Sequence, residues 1–222
     1  MTWIKFCGTT NRHDAQMSIA SGANALGFIF APSPRQVEIA RAAEIVAALP
    51  DGVEKIGIFV NESPARVAEI VTLVRLTGVQ LHGNEPAEQL PQFRHALGSR
   101  RIIKTLLASE LLSGKDMVAG YLGSCDSIDA VLLDSGSAAK PGGTGIPFAW
   151  EDAVPLAAEI QAVVPVIIAG GLNPRNVGEA LRLFCPWGVD VVSGVEREPG
   201  RKDETRLGDF VAAVRRAQVN VR

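Results

Sequence analysis

Short apolar runs alternate along the chain with segments whose apolar residues recur at helical spacing. The first run, Trp3-Ile4-Lys5-Phe6, is apolar except for Lys5; it reaches Cys7 and stops at Gly8, as a buried strand does. Asn11 then offers an N-cap with Asp14 three residues on, and Ala15, Ile19 and Ala20 follow at helical spacing until Ser21-Gly22. Ala25 to Phe30 reads as a second strand, punctuated by Pro32 and Pro34, and a helix through Ala40, Ala43, Ile45, Val46 and Leu49 stops at Pro50. Val53 to Val60 places Ile56, Ile58 and Val60 on one face, after which Ser63-Pro64 caps a helix near Arg66 to Leu73.

The alternation then continues through strand Val79-Gln80-Leu81, a helix from Pro86 to Ala96, strand Arg101 to Leu106 and a weaker helix from Glu110 to Ala119. Strand Ile128 to Leu133 ends at Asp134, and a helix around Trp150 to Ile160 follows a glycine-rich loop. Val163 to Ile168 is the most hydrophobic strand; Asn173-Pro174 caps a helix to Leu183, Val189 to Val192 forms a strand, and Phe210 to Ala217 lies on a closing helix. These are eight strand–helix units whose strands are near-continuous apolar runs, the mark of a parallel sheet buried on both faces. Eight units in 222 residues predict an α/β fold, a single (β/α)8 barrel over residues 1–222. A doubly wound sheet is disfavoured because Cys7-Gly8-Thr9-Thr10-Asn11 stands where a Gly-x-Gly-x-x-Gly fingerprint would follow the first strand.

Composition narrows the classes of function. Hydrophobic residues make up 47% and charged residues 21%, values of a folded globular chain, and the net charge of −2 gives no pull toward nucleic acid. No apolar run approaches the roughly 18 residues of a membrane helix, and Lys5, Arg12 and Asp14 interrupt the N-terminus in a way that argues against a secretory signal. Cys7, Cys125 and Cys185 are odd in number and far apart, which favours reduced thiols and a cytoplasmic setting. His13, His82 and His95 have no metal-site spacing, so no metal is expected. Nothing singles out an oligomer interface, which leaves monomer and homodimer both open.

In such a barrel the loops at the carboxyl ends of the strands form the active face, often with a phosphate site after the last strands. Glycines gather there: Gly142, Gly143 and Gly145 after strand six, Gly170 and Gly171 after strand seven, Gly194 after strand eight, with Thr144 and Ser193 as hydroxyl donors. Backbone N–H groups in such loops can cradle an anion, although single glycines also serve merely to turn a loop. Cys7 is either a small buried hydrophobe or a thiol at the mouth. Asp134 either caps a turn with Ser135-Gly136 or faces Cys7, in which case a thiol and a carboxyl would flank a phosphosugar as base and acid. Arg35, on the loop after strand two, is either a surface residue or a fork for a substrate carboxylate. His82 follows strand four at the active end, and could equally serve a turn or a cap. Asp190 needs a partner if it points inward. The charged segment Glu196 to Arg206 is read as a solvated loop.

The residues resemble those of the phosphoribosylanthranilate isomerase family of tryptophan biosynthesis. The resemblance rests on Lys5-Phe6-Cys7-Gly8, Gly27-Phe28-Ile29-Phe30 with Ser33-Pro34-Arg35, Gly57-Ile58-Phe59-Val60-Asn61 and Gln80-Leu81-His82-Gly83. Further on it rests on Leu132-Leu133-Asp134-Ser135, Gly142-Gly143-Thr144-Gly145, Ala169-Gly170-Gly171-Leu172-Asn173-Pro174 and Val189 to Glu196. It implies an Amadori rearrangement of a phosphoribosyl substrate with Asp134 as acid, Cys7 as base, Arg35 on the anthranilate carboxylate and no cofactor. His82 and Asp190 join the substrate site, and Gly143, Thr144, Gly145, Gly170, Gly171, Ser193 and Gly194 the phosphate site. The chain departs from the usual pattern at Thr9-Thr10-Asn11, Ile146 and Ala149, all in loops. Other phosphosugar isomerase or epimerase barrels, and a barrel that binds phosphosugars without turnover, are the alternatives.

Overall fold

The computed structural model describes residues 1–107, 120–134 and 150–219. Eight parallel strands close into a ring in chain order: β1 (Trp3–Phe6), β2 (Ala25–Ile29), β3 (Glu54–Phe59), β4 (Gly78–Leu81), β5 (Arg101–Leu107), β6 (Ala130–Asp134), β7 (Val166–Ile168) and β8 (Gly188–Val191). The seam is made by β1 and β8, with Lys5 opposite Asp190, so the ring leaves no open edge. The helices described are α1 (Arg12–Ser21), α2 (Ile39–Ala47), α3 (Pro64–Val74), α4 (Leu90–Leu97), α5 (Trp150–Gln161), α6 (Val177–Phe184) and α7 (Glu204–Val219). The (β/α)8 barrel expected from the alternation is the architecture observed. The weak helix expected over Glu110 to Ala119 lies outside the described residues.

Local chemistry accounts for several boundaries. Asn11 accepts a hydrogen bond from the Asp14 N–H at the start of α1, and Ser63 accepts one from Arg66 ahead of Pro64 on α3. Strand alternation sorts the side chains into two cores. Ile4, Phe6, Leu26, Phe28, Val131 and Leu133 point outward into the layer between barrel and helices. Trp3, Ala25, Ile56, Ile103, Ala130, Leu132 and Ile167 point inward and fill the barrel. At the amino ends of the strands Trp3 stacks on Trp187 with centroids 5.0 Å apart, and the Arg101 guanidinium lies 5.1 Å from the Trp187 ring. This layer plugs the barrel floor and leaves the opposite end for ligands.

Four local expectations are corrected. Strand seven is only Val166–Ile168; Val163 is half exposed, because Pro165 cannot donate to a ladder and the pairing begins after it. Asn173 does not cap α6: its side chain accepts from Arg175 N–H in a turn, and the helix starts later, with Asn176 in the cap position. Val60 lies beyond the end of β3, at the mouth, rather than on its buried face. The Glu196–Arg206 segment is no solvated loop. It begins with an antiparallel ribbon of β9 (Glu196–Glu198) and β10 (Arg201–Lys202) and runs on into α7. Glu196 and Lys202 are buried while Arg197, Glu198 and Arg201 face solvent, because the two inward charges neutralise each other.

Candidate active site

The inward alternation that fills the barrel with apolar groups changes character near the carboxyl ends. One layer above Trp3 the β1 position is Lys5, fully buried, whose Nζ lies 2.7 Å from Asp190 Oδ1 on β8. That pair answers what neutralises an inward Asp190. Two residues further on, Cys7 points to the same interior, and Gly27 on the neighbouring strand makes room for it. A Cβ at Gly27 would stand 2.6 Å from Cys7 Sγ. The thiol therefore occupies space that the adjacent strand surrenders.

Above this layer opens a cavity of about 450 Å3. Cys7, Arg35, His82, Asp134, Gly170, Gly171, Asp190 and Ser193 all line it, drawn from six strands or the loops that follow them. Cys7 and Asp134 thus share one cavity, their strands three places apart round the ring. Gly170 and Gly171 carry positive φ values, 82° and 69°, a conformation that brings the backbone rather than side chains to the wall. Gly194 lies behind this wall: a Cβ there would meet Leu172 O at 2.0 Å, so the loops after β7 and β8 are pressed together. Gly143, Thr144 and Gly145 lie outside the described residues.

Electrostatics differ sharply from residue to residue. Burial pushes the Cys7 thiol pKa up, opposed by the Lys5 charge, reinforced by Asp190, and opposed again by Lys202 and by the Gly8 N–H. Burial works against the Lys5 ammonium, yet Asp190 and Cys7 more than compensate and its pKa is raised. His82 is held neutral, its pKa lowered to about 4 by burial and by the Lys5 and Lys104 charges. Its Nδ1 lies 2.9 Å from Gln80 Nε2, an amide that also donates to Thr105 Oγ1. The Gln80 amide therefore engages Nδ1 and fixes the orientation of the ring. Arg35 is gripped from behind: its Nε and Nη2 donate to both carboxylate oxygens of buried Glu196, at 2.7–3.0 Å. The guanidinium is thereby fixed while it still borders the cavity.

Four contributors were not legible in the sequence as site residues. Lys5 interrupts an apolar strand in the sequence, and its two-residue spacing from Cys7 places both inward. Gln80 sits two residues before His82 by the same rule. Glu196 and Lys202 belong to the ribbon read as solvated, and only the alternation of buried and exposed charges within it distinguishes them.

A thiol and a carboxyl lining one cavity, a fixed cation beside them and glycine loops at the rim are the makings of a (β/α)8-barrel enzyme site. Comparison with known proteins makes the assignment particular. A family model described as N-(5'-phosphoribosyl)anthranilate (PRA) isomerase matches residues 4–213, and the chain belongs to that family. The N-(5'-phosphoribosyl)anthranilate isomerase of Geobacter sulfurreducens is 42% identical over 212 residues, covering 95% of this chain and 97% of the relative. The enzyme of that name from Moorella thermoacetica is 39% identical over 218 residues, or 98% and 92%. The crystal structure of phosphoribosyl anthranilate isomerase from Thermotoga maritima superposes with a TM-score of 0.84 at 33% identity, covering 97% of this chain and 99% of that one. A phosphoribosyl anthranilate isomerase in complex with reduced 1-(o-carboxyphenylamino)-1-deoxyribulose 5-phosphate superposes at 0.80, with 33% identity and the same coverage.

Proposed function

We infer that this chain carries out the Amadori rearrangement of N-(5'-phosphoribosyl)anthranilate to 1-(2-carboxyphenylamino)-1-deoxyribulose 5-phosphate in tryptophan biosynthesis, with Asp134 as general acid and Cys7 as general base. The single observation that carries the residue assignment is that Cys7 and Asp134 line one cavity from different strands. Asp134 gives its proton to the ribose ring oxygen as the C1–O bond breaks, and the anthranilate nitrogen lone pair forms the C1=N bond. Cys7, as thiolate, removes the C2 proton; the C2–H electrons become the C1=C2 bond and the C1=N electrons return to nitrogen. The resulting enolamine tautomerises to the ketone. The substrate nitrogen is the electron sink, so this reading requires no cofactor or metal.

The remaining positions fit the substrate's chemistry. Arg35, planar and held at its rear by Glu196, suits the anthranilate carboxylate. His82, neutral and held at Nδ1 by the Gln80 amide, can hydrogen-bond the substrate without adding charge. The loops carrying Gly170, Gly171, Ser193 and Gly194 suit the phosphate, with Gly143, Thr144 and Gly145 assigned there by sequence. Asp190 keeps Lys5 charged beneath the thiol. We further read residues 1–222 as one catalytic domain working in the cytoplasm, as monomer or homodimer. No helix of the described residues is long and apolar enough to cross a membrane.

The test is a fluorescence assay with freshly generated phosphoribosylanthranilate on wild type, Cys7→Ser and Asp134→Asn. Turnover by wild type and a fall of about 100-fold or more in kcat for each variant are expected. Undiminished turnover in both variants would overturn the acid–base assignment.

A further inference from the structure

The ribbon after β8 places buried charge where an ordinary turn needs none. Glu196 accepts from Arg35 Nε and Nη2, from Lys202 Nζ at 3.2 Å and from the Gly200 N–H at 3.3 Å. Lys202, 2% exposed, turns its Nζ onward to the backbone carbonyl of Cys7 at 2.5 Å, while its own N–H donates to Asp14 on α1 at 2.8 Å. Two residues of one short hairpin therefore reach the two groups assigned to base and carboxylate binding. Simple anchoring would be served as well by apolar side chains, because two buried charges seldom stabilise more than well-packed hydrophobic replacements. Function gives a reason for the charges.

We propose that Lys202 and Glu196 are a pair of positioning residues, Lys202 holding Cys7 and stabilising the anion it forms, Glu196 holding Arg35 in its binding orientation. The proposal rests on the roles given to Cys7 and Arg35 above. Charged groups that act on the thiol are Lys5 from β1, Asp190 from β8 and Lys202 from β10, with the Gly8 N–H, and Asp134 of β6, Arg35 and His82 border the same cavity. Lys5, paired with Asp190 at 2.7 Å, also hydrogen-bonds the thiol and is the first ammonium that favours a thiolate; Lys202 is the second. Burial lowers the Lys202 pKa, and Glu196 and Cys7 both oppose that fall. The ribbon thus links the two ends of the substrate, the carbon that loses its proton and the carboxylate that orients the ring, through a single carboxylate–ammonium contact.

The experiment compares Lys202→Met, Lys202→Arg and Glu196→Gln in a chain whose other thiols are removed by Cys125→Ser and Cys185→Ser. Cys7 alkylation by iodoacetamide is followed by mass spectrometry across pH, alongside kcat, KM and circular dichroism. Lys202→Met is expected to move the midpoint of the alkylation curve up by about one pH unit and to lower kcat about tenfold, with KM within about twofold. Lys202→Arg recovers most of both. Glu196→Gln, which frees the Arg35 guanidinium, raises KM about tenfold. Should Lys202→Met fail to fold, the Glu196→Gln/Lys202→Met double variant, which buries no carboxylate deprived of its ammonium, carries the same alkylation readout. Folded variants with wild-type alkylation curves and unchanged kcat and KM, altered only in melting temperature, would reduce the pair to a structural brace and overturn the proposal. Alkylation does not depend on turnover. A shifted curve in a chain that never isomerises phosphoribosylanthranilate would strike the functional reading and spare the support of Cys7 by Lys202.

Discussion

The thiol of Cys7 shows how little of a reactive residue's character belongs to the residue. Its seat depends on an absent side chain at Gly27, where a Cβ would come within 2.6 Å of Sγ. Gly27→Ala must displace the sulfur or the strand, since the same Cβ would also lie 3.0 Å from Cys7 Cα. We expect kcat to fall on the order of a hundredfold and stability by about 1–3 kcal/mol, measured by steady-state assay and urea unfolding. His82 gives a second residue-scale expectation. Its folded pKa of about 4 lies below the ordinary 6.5, so the unfolded chain binds that proton more readily across the interval. Stability contributed by the neutral ring is present above the upper value and is lost as pH falls toward the lower one. His82→Asn should flatten that part of the stability-versus-pH curve. A curve of the same slope in the variant would assign the loss to other groups.

At the scale of elements, boundaries were legible where a side chain binds the backbone nearby and illegible where tertiary contacts decide. Asn11 and Ser63 are legible as caps because capping is local chemistry. Asn173 has the sequence of a cap, yet its side chain accepts from the Arg175 N–H in a turn, and nothing in the sequence distinguishes the two. Glu196 and Lys202 were hidden for a related reason: a stretch with charges at nearly every position has no apolar period to read, and its two inward residues are revealed only by their partners. The strand ends fared better. Apolar runs ending in Cys7, Asp134 and at His82 place polar groups at the mouth by counting alone. The cap at Ser63 can be tested apart from the chemistry. Ser63→Ala removes the acceptor for the Arg66 N–H and should cost about 1 kcal/mol, lowering Tm by roughly 2–4 °C with kcat/KM unchanged.

For the molecule as a whole, the seam between β1 and β8 is where first and last strands meet, and it encloses the Lys5–Asp190 pair. Both side chains are almost wholly out of water, so removing one strands the other. Lys5→Met should destabilise by about 3–5 kcal/mol, and Lys5→Met/Asp190→Asn should regain much of that loss. Denaturation midpoints of the two variants check it; equal loss in both would mean the pair is not coupled. The ring of eight strands was readable because parallel strands covered by helices are apolar throughout. The partner of Asp190 was not, since 185 residues separate the two and only barrel closure brings them together.

The floor of stacked Trp3 and Trp187, with Arg101 over the indole, has a bearing on traffic. A vessel stoppered at its base is filled and emptied at its other end. Substrate and product therefore occupy the same cavity in turn and compete for it. Added product should accordingly act as a purely competitive inhibitor, raising the apparent KM and leaving the maximal velocity untouched.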